Sequence, residues 1–478
     1  MELTETSNRI KISPQVMTVV LASFVLTAFS GNATYLIFCF VAFYAIIILL
    51  WRHSQANILV FAMLMQWVQV VTFVIWMNNA GADINWLSNH GDIATSMACL
   101  GLITMAATIS LGLKTLKMPS AEQFSQQAAL INEKKILLLY LVSTFFLGGL
   151  GFAFGSNPGF FQILSTLATL KWVFFMVYGY VVWINKKNRL VLIIIIILEF
   201  TSSLYSYFST FKEVIFYTII LALSFIRRVS FKQLAYGLVI FTSLLFLLLT
   251  WTAVKSDYRK FLNRGTKQQV IEVSREEAFS KLGEKVSSLT WANYQQVLDL
   301  FLYRAQYVLH LAKSMDRVPS LMPYENGQIW KDNITFVLEP RLFFPDKPIY
   351  QATEKTNKYT GLRYSGLKQG SSFSLGYFAD SYIDFGYVGM FLPLILIALF
   401  VVFIYRVLYG FSKINLLIRY SVINVTLNDF NSFESDGLFL IGRLLLLFLV
   451  YWFLSKFLLS RLQNWLYKAS EPRSWQLR

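Results

Sequence analysis

Charge is scarce in this chain. Only 14% of its 478 residues are Asp, Glu, Lys or Arg, against about 25% in soluble domains. Cysteine and histidine are scarcer still: Cys39 and Cys99, and His53, His90 and His310. Two cysteines inside apolar runs supply no disulfide framework and exclude a cysteine-cluster metal centre. No H-E-x-x-H helix, GxxxxGK[ST] loop or G-x-G-x-x-G turn occurs, so zinc hydrolysis and cytosolic nucleotide chemistry have no sequence support. No metal and no cofactor are expected, and spacing draws no nucleophile–His–acid arrangement. Met1 to Ser13 is polar, and the first apolar run has no clear small-residue cleavage point, so no cleavable signal peptide is expected.

Apolar residues fill the space that charge leaves, at 56% of the chain. Runs of about 20 recur, each long enough for about 30 Å of hydrocarbon. The expected fold class is an all-α polytopic membrane protein with about twelve transmembrane helices and one large, partly helical extracytoplasmic loop. The spans fall near 15–30, 33–51, 56–78, 91–112, 136–154, 158–183, 190–207, 211–226, 235–254, 386–405, 414–431 and 437–457. The eleventh is interrupted by Arg419, Asn424, Asn428, Asp429 and Asn431, and reads as short, tilted or facing a wet cavity. Three segments result: spans one to nine (1–254), a polar insertion (255–375), and the last three spans with a tail (376–478).

The formal charge of +16 is a membrane signal here rather than a nucleic-acid one, because Lys and Arg crowd cytoplasmic loops. Alternate connections carry Arg9 and Lys11, Arg52, Lys114, Lys117, Lys134 and Lys135, Lys186 and Lys187, Arg227 and Arg228, Arg406 and Lys413. The opposite connections are nearly bare. Both termini are therefore expected in the cytoplasm, and the insertion outside. At about 120 residues it is too long for a mere connection.

Within the insertion, Ser287 to Asp316 has helical spacing. Val297, Phe301, Ala305, Val308 and Ala312 share one face; Asp299, Tyr303, Gln306, His310 and Lys313 form a polar stripe on another. The stripe is either a solvated face or the lining of a pocket. Further on, Asp380 and Asp384 stack four residues apart at the mouth of span ten. They serve either as helix-start carboxylates or as functional groups. Lys171 and Glu199 lie mid-span, where an unpaired charge costs at least about 2.5–3.5 kcal/mol. They are expected to pair with each other or to face a polar path. Arg443, inside the outer end of span twelve, reaches the interface or holds a phosphate.

The stretch Phe336–Tyr350, FVLEPRLFFPDKPIY, sets Glu339, Arg341, Asp346 and Lys347 among three prolines. Proline fixes φ and removes a donor, so a stiff irregular loop with charges held in preset directions is expected. Arg341, Lys347, Arg363 and Lys368 gather near the return to the membrane, and Arg suits bidentate phosphate contact. Tyr350, Tyr377 and Tyr382 offer flat faces suited to sugar rings, or pack as ordinary core aromatics.

Glu339–Pro348 (EPRLFFPDKP), followed after a Ser/Gly-rich gap by Tyr377–Gly386 (YFADSYIDFG), resembles bacterial O-antigen and exopolysaccharide repeat-unit polymerases of the Wzy type. The resemblance implies a glycosyltransferase at the outer face of the bacterial inner membrane. Its substrates would be undecaprenyl-diphosphate-linked glycans, and its partners a chain-length regulator and a flippase. It implies Arg341, with Lys347, Arg363, Lys368 and Arg443, on the leaving diphosphate. Asp384, Asp380, Glu339 and His310 remain open as proton acceptors. The alternatives are an O-antigen-ligase-like glycosyltransferase, in which a large-loop histidine such as His310 would act, and a lipid-linked oligosaccharide flippase or transporter.

Overall fold

A computed structural model describes residues 10–27, 29–53, 55–147, 158–205, 211–266, 271–340, 343–344, 346–366 and 372–468. Arg341 and Lys368 lie outside the described residues, as does Arg9.

The described chain is helical apart from a two-residue parallel pair, β1 (Lys11–Ile12) with β2 (Arg228–Val229). Its first half holds α1 (Pro14–Thr27), α2 (Ala33–Leu50), α3 (Ile58–Asn79), α4 (Gly91–Leu113), α5 (Ala121–Leu130) and α6 (Glu133–Val142). Then come α7 (Pro158–Ala168), α8 (Leu170–Asn185), α9 (Arg189–Leu204), α10 (Phe211–Phe225) and α11 (Phe231–Leu262). The insertion supplies α12 (Arg275–Ser287), α13 (Trp291–Ala305), α14 (Val308–Arg317), α15 (Gln328–Leu338) and α16 (Ala352–Thr360). The chain closes with α17 (Tyr377–Gly389), α18 (Phe391–Tyr409), α19 (Leu416–Thr426), α20 (Gly437–Leu454) and α21 (Ser460–Leu466).

Seven helical stretches among the described residues are long and apolar enough to cross a membrane: α2, α3, α4, Gln162–Asn185, α11, α18 and Gly437–Leu466. About twelve spans were expected. The expected spans near 15–30, 136–154 and 190–207 run into residues outside the described ones; α10 and α19, at 15 and 11 residues, are shorter than the ~20 residues that cross hydrocarbon unaided. Helix α11 runs unbroken through position 254, so the expected division falls inside a helix.

The core is built around α3 and α8. Every residue of α8 from Trp172 to Val182 is buried. Helix α4 packs between α2 and α18, and α19 packs against α8 and α18. Helix α19 shows how the polar eleventh run is accommodated. Its 11 residues rise only about 16 Å, and all but Arg419 are buried in protein. Buried Asn424 accepts the amide of Ile58 (3.3 Å) and donates to the Tyr180 hydroxyl (3.0 Å). A broken helix at membrane depth is tolerated where protein rather than lipid surrounds it. The charges in α8 and α9 are paired as well: Lys171 Nζ lies 3.0 Å from Glu199, which also accepts the Tyr140 hydroxyl at 2.5 Å.

Hydrogen bonds tie the basic connections to one another. Arg227 donates to His53, Arg406 to the Gly112 carbonyl, Tyr409 to the Lys117 carbonyl and Lys135 to the Trp465 carbonyl. The insertion docks on other helix ends. Asn79, closing α3, donates to Asp299, and His90, before α4, meets Asp316 at 2.9 Å.

The predicted continuous helix over 287–316 is two helices. Gln306 is extended (φ −78°, ψ 146°) and ends α13, and its side chain accepts the Leu309 amide to start α14. The polar stripe is thereby broken. Asp299 remains exposed, while His310 is buried against α4, α16 and α17.

Candidate functional site

Two polar clusters stand out. The first is an ion triad beneath the insertion. Lys355, on α16, points its ammonium between Asp380 of α17 (2.7 Å) and Asp436, the residue before α20 (3.0 Å). Both carboxylates are fully buried, and the Lys355 side chain is 14% exposed. Asp436 also accepts the amides of Leu375 (2.7 Å) and Gly376 (3.1 Å) and the hydroxyl of Tyr350 (2.9 Å). Asp380 accepts the Gly437 amide (3.0 Å) and the Asn333 side chain (3.4 Å). Burial pushes the Asp380 carboxyl up to about 6, against the pull of Lys355. Burial also disfavours the Lys355 ammonium, but Asp380 and Asp436 together outweigh it and hold its pKa well above the ordinary value.

The second cluster is a cavity of ≈ 130 Å³ between α7, α10, the end of α19 and the start of α20. Gln162, Ser165, Thr166, Thr169, Glu213, Tyr217, Asn428, Asp429 and Arg443 supply its polar lining. Arg443, its only lining cation among the described residues, pairs with Asp429 at 3.3 Å while 69% of its side chain stays exposed. Its position, six residues into α20, is about 9 Å along the helix.

The two clusters divide the residues that the sequence singled out. Asp380 and Tyr350 belong to the triad, and Arg443 to the cavity. Asp384 belongs to neither. Its oxygens accept the amides of Ile329 (3.1 Å) and Trp330 (2.9 Å), the first turn of α15, as expected of a helix-start carboxylate. Burial raises its pKa and those amides oppose the rise. Lys347 turns away from solvent. It donates to the Phe336 carbonyl and to the Glu339 carbonyl (2.7 Å), capping the C-terminus of α15, and lies 3.4 Å from the Phe336 ring centroid. Glu339 sits half-buried at that helix end, and Arg363 is exposed.

Tyr377 and Tyr382 are fully buried and present no ring face to a sugar. Their hydroxyls donate to Gln66 (2.5 Å) and to the Val318 carbonyl (2.8 Å), so their positions are explained by core packing. His310 is stacked on Tyr307 (4.3 Å) and Tyr364 (5.7 Å), and neither ring nitrogen has a hydrogen-bond partner among the described residues. Burial pushes it down to about 4, so it is neutral at physiological pH.

The family described as Domain of unknown function (DUF8712) matches residues 88–461, more than three quarters of the chain. The chain belongs to that family. The match covers α4 to α20 and so takes in both clusters of this DUF8712 protein. Neither the curated proteins nor the solved structures contain a match.

Sequence reasoning missed Lys355, Asp436 and Glu213 as site residues. Asp436 carried one signal, an acidic residue directly before an apolar helix. Lys355 and Glu213 carried none, since nothing local marks a lysine that meets an aspartate 81 residues on.

Two outcomes follow. Lys355→Met leaves two buried carboxylates facing each other and should cost about 3–5 kcal/mol, read as a fall in thermal midpoint in detergent. Adding Asp380→Asn and Asp436→Asn should recover part of the loss. His310 is a base whose folded pKa is depressed, so the unfolded chain binds the extra proton between about pH 6.5 and 4. Its contribution, on the order of 3 kcal/mol, is present above that window and lost as pH falls through it. The thermal midpoint of His310→Phe should fall less steeply with acidification than that of the native protein.

Proposed function

We propose that this DUF8712 protein polymerises lipid-linked oligosaccharide repeat units at the outer face of a bacterial inner membrane, with undecaprenyl diphosphate leaving. The observation that supports it best is the cavity with Arg443. It is a polar space among apolar helices, and a guanidinium at its edge stays exposed. A growing diphosphate charge is stabilised most by a fixed cation where water is scarce. Arg is the side chain suited to that contact, and in this reading Arg443 meets the diphosphate. The resemblance of Glu339–Pro348 and Tyr377–Gly386 to Wzy-type polymerases agrees with that chemistry, which needs neither ATP nor a nucleotide sugar at the site.

In this reading Arg341 also meets the diphosphate, while Lys347 is held by carbonyls of α15. Asp429 keeps the guanidinium of Arg443 at the cavity until the diphosphate arrives.

Glycan length on gels tests this, in a strain lacking its own copy and at equal protein level. Arg443→Ala and Arg341→Ala should each cut polymer yield about tenfold or more, since a hydrogen bond to a charged group contributes about 1.5–3 kcal/mol. Arg443→Lys should rescue only partly. Polymer of normal length and amount from Arg443→Ala would remove the cavity from the mechanism. Lipid-linked repeats moved across vesicle membranes without polymer formation would favour a flippase. Glycan transferred to a different acceptor would favour a ligase.

A further inference from the structure

The glycosyl transfer proposed above needs a group to take the acceptor proton, and the two aspartates of α17 are already engaged. Asp380 serves Lys355, Asn333 and the Gly437 amide, and Asp384 serves two amides of α15. His310 is closed between two tyrosines, and Glu339 is not among the residues around the cavity. Glu213 is. Its Oε2 accepts the indole N–H of Trp172 at 2.7 Å, and Oε1 has no hydrogen-bond partner among the described residues. The indole is itself held, stacked on Tyr217 (4.9 Å) with the Lys171 ammonium 4.4 Å from its ring. One oxygen is thus fixed and the other left available on a cavity wall.

Two hydroxyls of that wall offer acceptors. Those of Ser165 and Thr166 donate to the Gln162 carbonyl, and their remaining lone pairs are what a ligand meets. Thr169 donates to the Thr166 carbonyl and is already paired with the Tyr451 hydroxyl at 2.8 Å. Asn428 Oδ1 is buried on the same wall with no partner among the described residues. An unpaired buried acceptor is costly, so a ligand bringing donors gains there. Hydroxyl and amide groups lining one cavity with a guanidinium match a sugar, rich in hydroxyls, next to an anionic group.

We propose that Glu213 is the proton acceptor for the hydroxyl of a lipid-linked acceptor sugar seated in this cavity, an assignment that rests on the polymerase reading. The acceptor oxygen bonds to the anomeric carbon of the donor glycan. The bond from that carbon to the diphosphate oxygen breaks, and its electron pair leaves with the diphosphate, opposite Arg443. The hydroxyl proton passes to the Glu213 carboxylate and from there to water. No oxidant, reductant or further reactant is needed.

The test uses full-length protein in membranes that accumulate the lipid-linked repeat, with farnesyl diphosphate as a separate binding probe on purified protein. Glu213→Gln keeps an oxygen for Trp172 but is a far weaker base. Polymerisation should fall at least about a hundredfold, with farnesyl diphosphate affinity and thermal midpoint unchanged. Arg443→Ala should instead weaken the probe along with the polymer yield. Glu213→Asp should restore part of the rate. The native rate should fall on acidification with a one-proton slope that Glu213→Gln lacks. A Glu213→Gln rate within about threefold of native overturns the assignment while leaving the polymerase reading standing. So does a parallel loss of rate, probe binding and thermal midpoint, with the pH profile of Glu213→Asp unchanged, which marks a purely structural residue. A native protein that makes no polymer overturns both.

Discussion

A buried ammonium shared by two buried carboxylates ties the polar insertion to the membrane helices. Lys355 reaches from α16 to Asp380 on α17 and Asp436 before α20. Removing any one partner leaves a charge in a medium that solvates it poorly. The remaining lone pairs are met by Tyr350, Asn333 and the amides of Leu375, Gly376 and Gly437, the condition under which a buried polar network is specific rather than merely costly. The packing around it is equally restrictive. A Cβ on Gly437 would come within 2.5 Å of the Trp330 ring, so α15 can lie against α20 only with glycine at that position.

The same economy of charge governs the membrane-spanning part. Lys171 meets Glu199, Trp172 meets Glu213 and Arg443 meets Asp429. These contacts surround the end of α19, the helix too short to cross. A full-length helix there would carry its backbone hydrogen bonds on through the bundle and fill the space with side chains. Ending at Thr426, α19 gives way to a short 3-10 turn over Asn428–Asn431, and the cavity lies beside that turn. The broken helix and the polar cavity are thus one feature, and Arg443, the lining cation among the described residues, projects from the neighbouring helix.

The division of labour between the clusters is chemical. The triad is closed, and its donors and acceptors are matched; it holds elements together. The cavity has hydroxyl and amide groups and an exposed guanidinium; it is suited to receive something. Carboxylates in the two places therefore differ in what remains available to them. Asp380 and Asp384 are committed to protein donors, whereas Glu213 keeps one oxygen without a partner among the described residues.

Much of the architecture was legible locally. Apolar runs of helical length marked the helices, because hydrocarbon demands an uninterrupted hydrogen-bonded apolar segment. The polar residues of the eleventh run, counted as a span, marked it as short, tilted or facing a wet cavity, and the cost of buried charge marked Lys171 and Glu199 as partners or as the lining of a polar path. Asp384, four residues from Asp380, gave no sign that one would start a neighbouring helix and the other join an ion triad. The stripe from Asp299 to His310 looked continuous because periodicity does not register a single extended residue, and Gln306 supplies one. Tyr377 and Tyr382 had the chemistry of sugar platforms but are core side chains, since burial depends on what packs above a ring. The union of Lys355 with Asp436, and of Glu213 with Asp429 and Arg443, was decided only by tertiary structure. Hydrophobicity and helix period act over a few residues, whereas the pairing of distant charges depends on which helices become neighbours.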